Sequence, residues 1–174
     1  TYVNVNKVEY LVRNLPDKEE AALLLSKIRS NCSKLVETLF SESNRDKEKY
    51  EEETNKAIKR LKKNYKPNNV SESSPGNAYT SYSINKGEKI VFCLRQKAGP
   101  NKDELVDLNT MMFVAIHELA HLMSISIGHT KEFWDNMKFL LETGIEINVY
   151  TKQDFNKTPK EYCGTTITDT PLNS

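Results

Sequence analysis

One stretch, Met111–Trp134 (MMFVAIHELAHLMSISIGHTKEFW), constrains this chain more than any other. From Met111 to Met123 every residue is apolar except His117, Glu118 and His121. On a helix of about 100° per residue, positions four apart lie about 40° apart and one turn along the axis, so both imidazoles address one point. Glu118 is rotated by about 100° from His117, too far to be an equivalent ligand but suitably placed to reach a water at that point. The alternative is a buried helix that happens to carry polar groups. Burying them unpaired costs on the order of 1–3 kcal/mol each and more for the charge, and a bound cation removes most of that cost.

The chain has three histidines, and the third, His129, falls in the same stretch. Ser124, Ile125, Ser126 and Ile127 continue a helix poorly, and Gly128 can take the positive φ of a sharp turn. Thr130 can cap a following helix with Phe133, Trp134, Met137, Leu140 and Leu141 on one face and a stop at Gly144. His129 is then held between two helices as a candidate third ligand; the alternatives are a histidine supporting the ligands or one on the surface. Three nitrogens and one open position suit Zn²⁺, one per chain, better than iron or manganese.

HELAH followed by GHTKEFW resembles the WLM and SprT-like zinc metallopeptidases, in which a Gly-His pair follows the motif helix and an aromatic residue opens the next one. Small proteases of similar appearance are encoded by some large DNA viruses. The resemblance covers Asn109 to about Leu141 well and the rest poorly. It implies His117, His121 and His129 as zinc ligands, Glu118 as catalytic base, and a peptide or protein substrate. It also brings in DNA as a partner, because such proteases are associated with proteins crosslinked to DNA. The spacing from His121 to His129 is longer than is usual in WLM proteins and shorter than in some SprT relatives.

With 174 residues, 37% of them apolar, the chain suits a single domain with one core. A net charge of +1 gives no global field for nucleic acid or membrane. Cys32, Cys93 and Cys163, odd in number and far apart, suggest an intracellular, reducing compartment: cytoplasm, nucleus, or a virion if the chain is viral. Sequons at Asn31, Asn69 and Asn156 are common by chance, and the first falls within an expected helix. No apolar run spans a bilayer and no signal peptide is present; the start at Thr1 leaves open a removed upstream segment, a membrane anchor included.

The expected fold is α+β and zincin-like. In 1–66, Val8–Val12 is a strand, Asp17 and Glu20 form a capping box, and Ala21, Leu24, Leu25, Ile28, Cys32, Leu35, Val36 and Leu39 line a helix face, with Cys32 in the core. After a break at Ser41–Asn44, a second helix carries Tyr50, Thr54, Ala57, Ile58, Leu61 and Tyr65 on one stripe, making a helical hairpin. Its lysine-rich end is a solvated face or a contact for DNA phosphates. In 67–107, Pro67–Ala78 is a loop, and Thr80–Ile84 and Lys89–Leu94 form a hairpin around Asn85-Lys86-Gly87, one edge of which can pair with an extended substrate. The metal-binding helices occupy 108–143, the first capped by Asp107 or Asn109. In 144–174, Ile145, Ile147 and Val149 alternate as a last strand before a packed, irregular tail. Tyr150 and Tyr162 are candidate oxyanion donors and Cys163 a candidate inhibitory metal ligand, with simple packing as the default for all three.

Overall fold

The structure is a computed structural model describing residues 1–76 and 80–173. Among the described residues four α-helices, α1 (Lys18–Arg45), α2 (Glu52–Asn64), α3 (Leu108–Met123) and α4 (Lys131–Glu146), pack around one apolar core, with small sheets at its margins. α3 is the axis of the fold. From Thr110 to Met123 only His117 and His121 escape full burial. Its enclosed Leu, Ile and Met side chains each contribute on the order of 1.5–3 kcal/mol. α1, α2 and α4 all pack on it.

α1 buries the expected stripe from Ala21 to Leu39, Cys32 included. It also runs past the expected break at Ser41–Asn44 to Arg45, because Ser43 on its inner face donates to Asn55 Oδ1 at 2.6 Å and is itself buried. The capping box does not form. Asp17 stands at the N-cap position without a side-chain cap bond; its carboxylate accepts from Arg95 Nη1 at 2.6 Å instead. A full guanidinium charge outcompetes a backbone amide for that carboxylate. The other two caps form as expected: Asp107 accepts from the Thr110 N–H, and Thr130 from the Phe133 N–H.

The expected hairpin is present as β4 (Tyr82–Ile84) and β5 (Lys89–Phe92), turning at Asn85 (φ 49°), Lys86 (φ 54°) and Gly87 (φ 111°). It belongs to a three-stranded sheet ordered β3-β5-β4, where β3 (Val70–Glu72) pairs parallel to β5 with Val70 opposite Ile90. β3 lies inside the expected loop Pro67–Ala78, whose last residues, with Thr80's neighbour Tyr79, are outside the described set. A short buried strand held by a distant partner has no alternation of its own to betray it. β2 (Val8–Leu11) matches the expected first strand, and pairs antiparallel with an earlier one, β1 (Tyr2–Val5).

The expected strand after Gly144 is absent, since α4 continues through Gly144 to Glu146. The glycine serves close approach rather than termination: a Cβ there would lie 3.4 Å from both Ile116 Cδ1 and Val149 Cγ2. The chain beyond folds back at once, with the N–H groups of Val149 and Tyr150 both donating to the Gly144 carbonyl. The tail packs on the body as expected. Phe155 lies edge-on to Phe113 at 4.9 Å, and β6 (Lys160–Tyr162) pairs with β7 (Thr165–Ile167). Between those strands Cys163 is disulfide-bonded to Cys93. That bond corrects the reading of Cys163 and removes one argument about compartment. Cys163 has no thiolate to offer a metal, and the cysteine content no longer argues for a reducing compartment. Among the described residues no helix is long and apolar enough to cross a membrane.

Candidate metal centre

The last turns of α3 present His117 and His121 on its one uncovered side, and the loop after Met123 returns His129 to them. Gly128, at φ +86°, makes the return, and the Thr130 cap starts α4 directly afterwards. The Nε2 atoms of His117 and His129 are 3.3 Å apart, and the candidate donor atoms of all three rings lie within 4.8 Å of one another. Two nitrogens each about 2.0–2.1 Å from a tetrahedral ion stand about 3.3–3.4 Å apart, so the His117–His129 separation is that of a ligand pair.

The surroundings keep the rings in the state a metal needs. Burial, with the neighbouring charges of His121 and His129, pushes the His117 pKa down to about 3. Burial, His129 and Lys86 push His121 down to about 4. Both rings are therefore neutral at pH 7 with a lone pair available. Phe133, fully buried at the start of α4, packs against all three imidazoles with ring centroids 4.3–4.9 Å away. It forms the floor that fixes their orientation. The sequence marks Phe133 only as a core residue, since nothing in its spacing says that the core at this point is the back of a metal site.

Glu118 opens on the same cavity and is only 3% exposed; burial pushes its pKa up to about 8. A carboxylate with so little water around it is a stronger base than an exposed one. The cavity, about 530 Å³, is walled on one side by His117, Glu118, His121 and His129 and on the other by β4 with its flanking residues, Thr80 to Ser83. β4 is an edge strand: one side pairs with β5, and the strand borders the cavity.

Neither candidate oxyanion donor lines that cavity. Tyr162 lies near enough to Glu118 for its charge, after burial, to raise the phenol pKa, but its hydroxyl donates to the Cys93 carbonyl at 2.7 Å and meets Ser81 Oγ at 2.6 Å. Tyr150 is buried against Phe113, with ring centroids 6.1 Å apart. Both side chains are buried away from the cavity lining. The lysine-rich end of α2 is partly neutralised: Lys56 pairs with Glu52 and Glu53, Lys62 with Glu37, and Arg60 donates to the Met123 carbonyl.

Fold and site together define a mixed α+β domain with a three-histidine site for a metal ion. The WLM domain family matches residues 3–173, nearly the whole chain, and the chain belongs to that family. It is 36% identical over 166 residues to an uncharacterized protein of Acanthamoeba polyphaga mimivirus, covering 94% of this chain and 79% of that protein. An uncharacterized protein of Invertebrate iridescent virus 3 is 37% identical over 84 residues, covering 48% of each. The fold is similar to that of a Wss1 mutant from Saccharomyces cerevisiae, with a TM-score of 0.56 at 18% identity over 80% of this chain and 89% of that one. A second Wss1 crystal structure gives a TM-score of 0.52 at 20% identity, over 80% of this chain and 88% of that one.

Proposed function

We propose that this chain is a zinc-dependent metallopeptidase that hydrolyses peptide bonds with Glu118 as general base. The observation that carries the reading is the convergence of three imidazoles and the buried carboxyl of Glu118 on a cavity bordered by an edge strand. His117, His121 and His129 would hold the ion, which when bound supplies a Lewis acid and lowers the pKa of water to about 7. Glu118 takes the proton from the attacking water and passes it to the leaving amine. β4 offers main-chain groups to an extended substrate, so binding depends little on substrate sequence. Membership in the WLM family supports peptide hydrolysis.

The finer reading, action on DNA–protein crosslinks, follows from the family resemblance; hydrolysis of a non-peptide amide and a non-catalytic module that keeps the metal for structure are the alternatives. Glu118→Gln is expected to keep the metal and lose about 10²–10⁴-fold in kcat, measured on casein or a peptide library with metal content assayed in parallel. A variant cleaving at the parental rate would remove Glu118 from the role. A chelator abolishes cleavage if the metal is required. Stimulation by added single- or double-stranded DNA would support the crosslink reading, and an inert digest beside full metal content would favour one of the two alternatives.

A further inference from the structure

Residues 124–128 join α3 to His129 and contain neither helix nor strand. A site built on loose chain needs something to hold its third ligand within about 0.5 Å of the productive position. Among the described residues, Asn136 bonds the Ser124 hydroxyl, and two further side chains grip the backbone of this segment. Glu132, in the first turn of α4, accepts from the N–H groups of Ile125 (2.9 Å) and Ser126 (2.8 Å) and from Ser126 Oγ (2.6 Å). From the opposite direction Lys86 Nζ donates to the carbonyls of His121 (3.0 Å), Ser124 (2.9 Å) and Ser126 (2.8 Å).

An ammonium has three donors, and those of Lys86 meet three acceptors. Its charge stands at the negative end of the α3 dipole, where a cation is stabilised. The backbone beneath it is in the left-handed region, φ +54°, which non-glycine residues adopt at some cost. Next to it, Gly87 is wedged against the end of α2: an added Cβ would fall 2.2 Å from the Asn64 carbonyl oxygen. Asn64 and Arg60 in turn donate to the Leu122 and Met123 carbonyls at 2.9 and 2.7 Å. The turn of the β4–β5 hairpin is thus docked on the C-terminal end of the metal helix, with Lys86 as the member that reaches beyond the helix into the loop. Lys86 also borders the cavity, but with its donors so engaged it has none left for a substrate carboxylate.

We propose that Lys86 is a positioning residue of the metal centre: its ammonium fixes the loop that returns His129 and, through the hairpin, sets how far the edge strand stands from the metal. The first half rests on the metal-site part of the function proposed above and not on peptide hydrolysis. The test uses the whole chain with Lys86→Met, Lys86→Asn and Lys86→Arg. Asn suits the left-handed backbone, so Lys86→Asn removes the ammonium without straining the turn. Zinc affinity is measured by competition with a chromophoric chelator, and ligand geometry from the visible absorption of the Co²⁺-loaded protein. Lys86→Met and Lys86→Asn are expected to weaken zinc binding about 10–100-fold and to alter the cobalt spectrum, with the metal-free proteins still folded by circular dichroism and Lys86→Arg recovering part of the affinity. Parental affinity and spectrum in Lys86→Asn would overturn the proposal. Because no substrate enters the metal measurement, an inert parent enzyme would sink the peptidase reading while leaving this one to be judged on affinity alone.

Discussion

α3 carries reactive groups that are neighbours in sequence, whereas the contacts that tie the scaffold, those of Arg60, Asn64 and Lys86 at its C-terminal end included, come from far apart. Its C-terminal end carries His117, Glu118 and His121 and receives His129 after one short loop, so the chemistry of the molecule is concentrated in a stretch that is local in sequence. In and beside the three-stranded sheet the partners likewise come from far apart: Arg95 binds Glu72 and Asp17, Cys93 binds Cys163, and β3 pairs with β5. The comparison suggests a division of labour. The local stretch supplies reactivity on a scaffold whose tying-together is done largely by the distant contacts.

The sharpest way to break that comparison is to cut the buried ion cluster. Arg95 Nε donates to Glu72 Oε2 at 2.7 Å, and both side chains are 3% exposed or less. Arg95→Met leaves the Glu72 carboxylate, among the described residues, with the Arg13 N–H alone as partner, a buried charge without its counter-ion that costs about 3–5 kcal/mol. Urea unfolding should show that loss, while the folded fraction still binds metal with the parental stoichiometry. Adding Glu72→Met should recover much of it, because the stranded charge goes too. Equal stability of parent and Arg95→Met would mean that the distant contacts are not what holds the scaffold.

What was legible in the sequence follows the same line. His117 and His121 are one helical turn apart, and Gly128 and Thr130 announce a turn and a cap, so the metal site could be read from spacing and backbone preference alone. The stripe from Ala21 to Leu39 was legible for the same reason. β3 was not, because its pairing partner lies some twenty residues on and its own residues show no alternation. Asp17 looked like a cap because the guanidinium that claims it, Arg95, is remote in sequence. Gly144 looked like a helix stop because a sequence does not show Ile116 and Val149 pressing on its missing side chain. Lys86 was legible as a turn residue but not as a clamp, since its acceptors are carbonyls, which every residue has.

A second cut, of smaller expected size, is reduction of Cys93–Cys163. The two cysteines are 70 residues apart, and opening a loop of that length costs about 2–4 kcal/mol. The midpoint of thermal unfolding should fall on reduction, with metal binding kept at temperatures where the reduced protein is folded. Thiol labelling checks the pairing. Burial pushes the Cys32 pKa up to about 12, so the native protein should show almost no reaction at neutral pH. Unfolded without reductant it should label one thiol, and with reductant the three that the sequence contains. Three labelled thiols without reductant would remove the disulfide and with it one of the distant ties.

The finest discrimination lies between two aspartates at helix starts. Asp107 caps α3, accepting from the Thr110 N–H at 2.9 Å, and Lys160 stands 3.2 Å away. Partial burial by itself raises its pKa; the Thr110 N–H and hydroxyl together with Lys160 outweigh that and hold it below the ordinary value. A carboxylate lowered in the folded state lends stability that is present above its unfolded pKa and lost as the pH falls through its folded one. Asp107→Ala should therefore cost about 1 kcal/mol at neutral pH, and the difference from the parent should shrink only at strongly acid pH. Asp107→Asn keeps a capping oxygen and should lose less, while flattening the acid side of the stability profile. Asp17→Ala removes no cap and only the more exposed partner of Arg95, so its cost should stay below about 1 kcal/mol. If Asp17→Ala proved the costlier change, the contact to Arg95 would outweigh the local cap, and the distant network would govern even the ends of the helices.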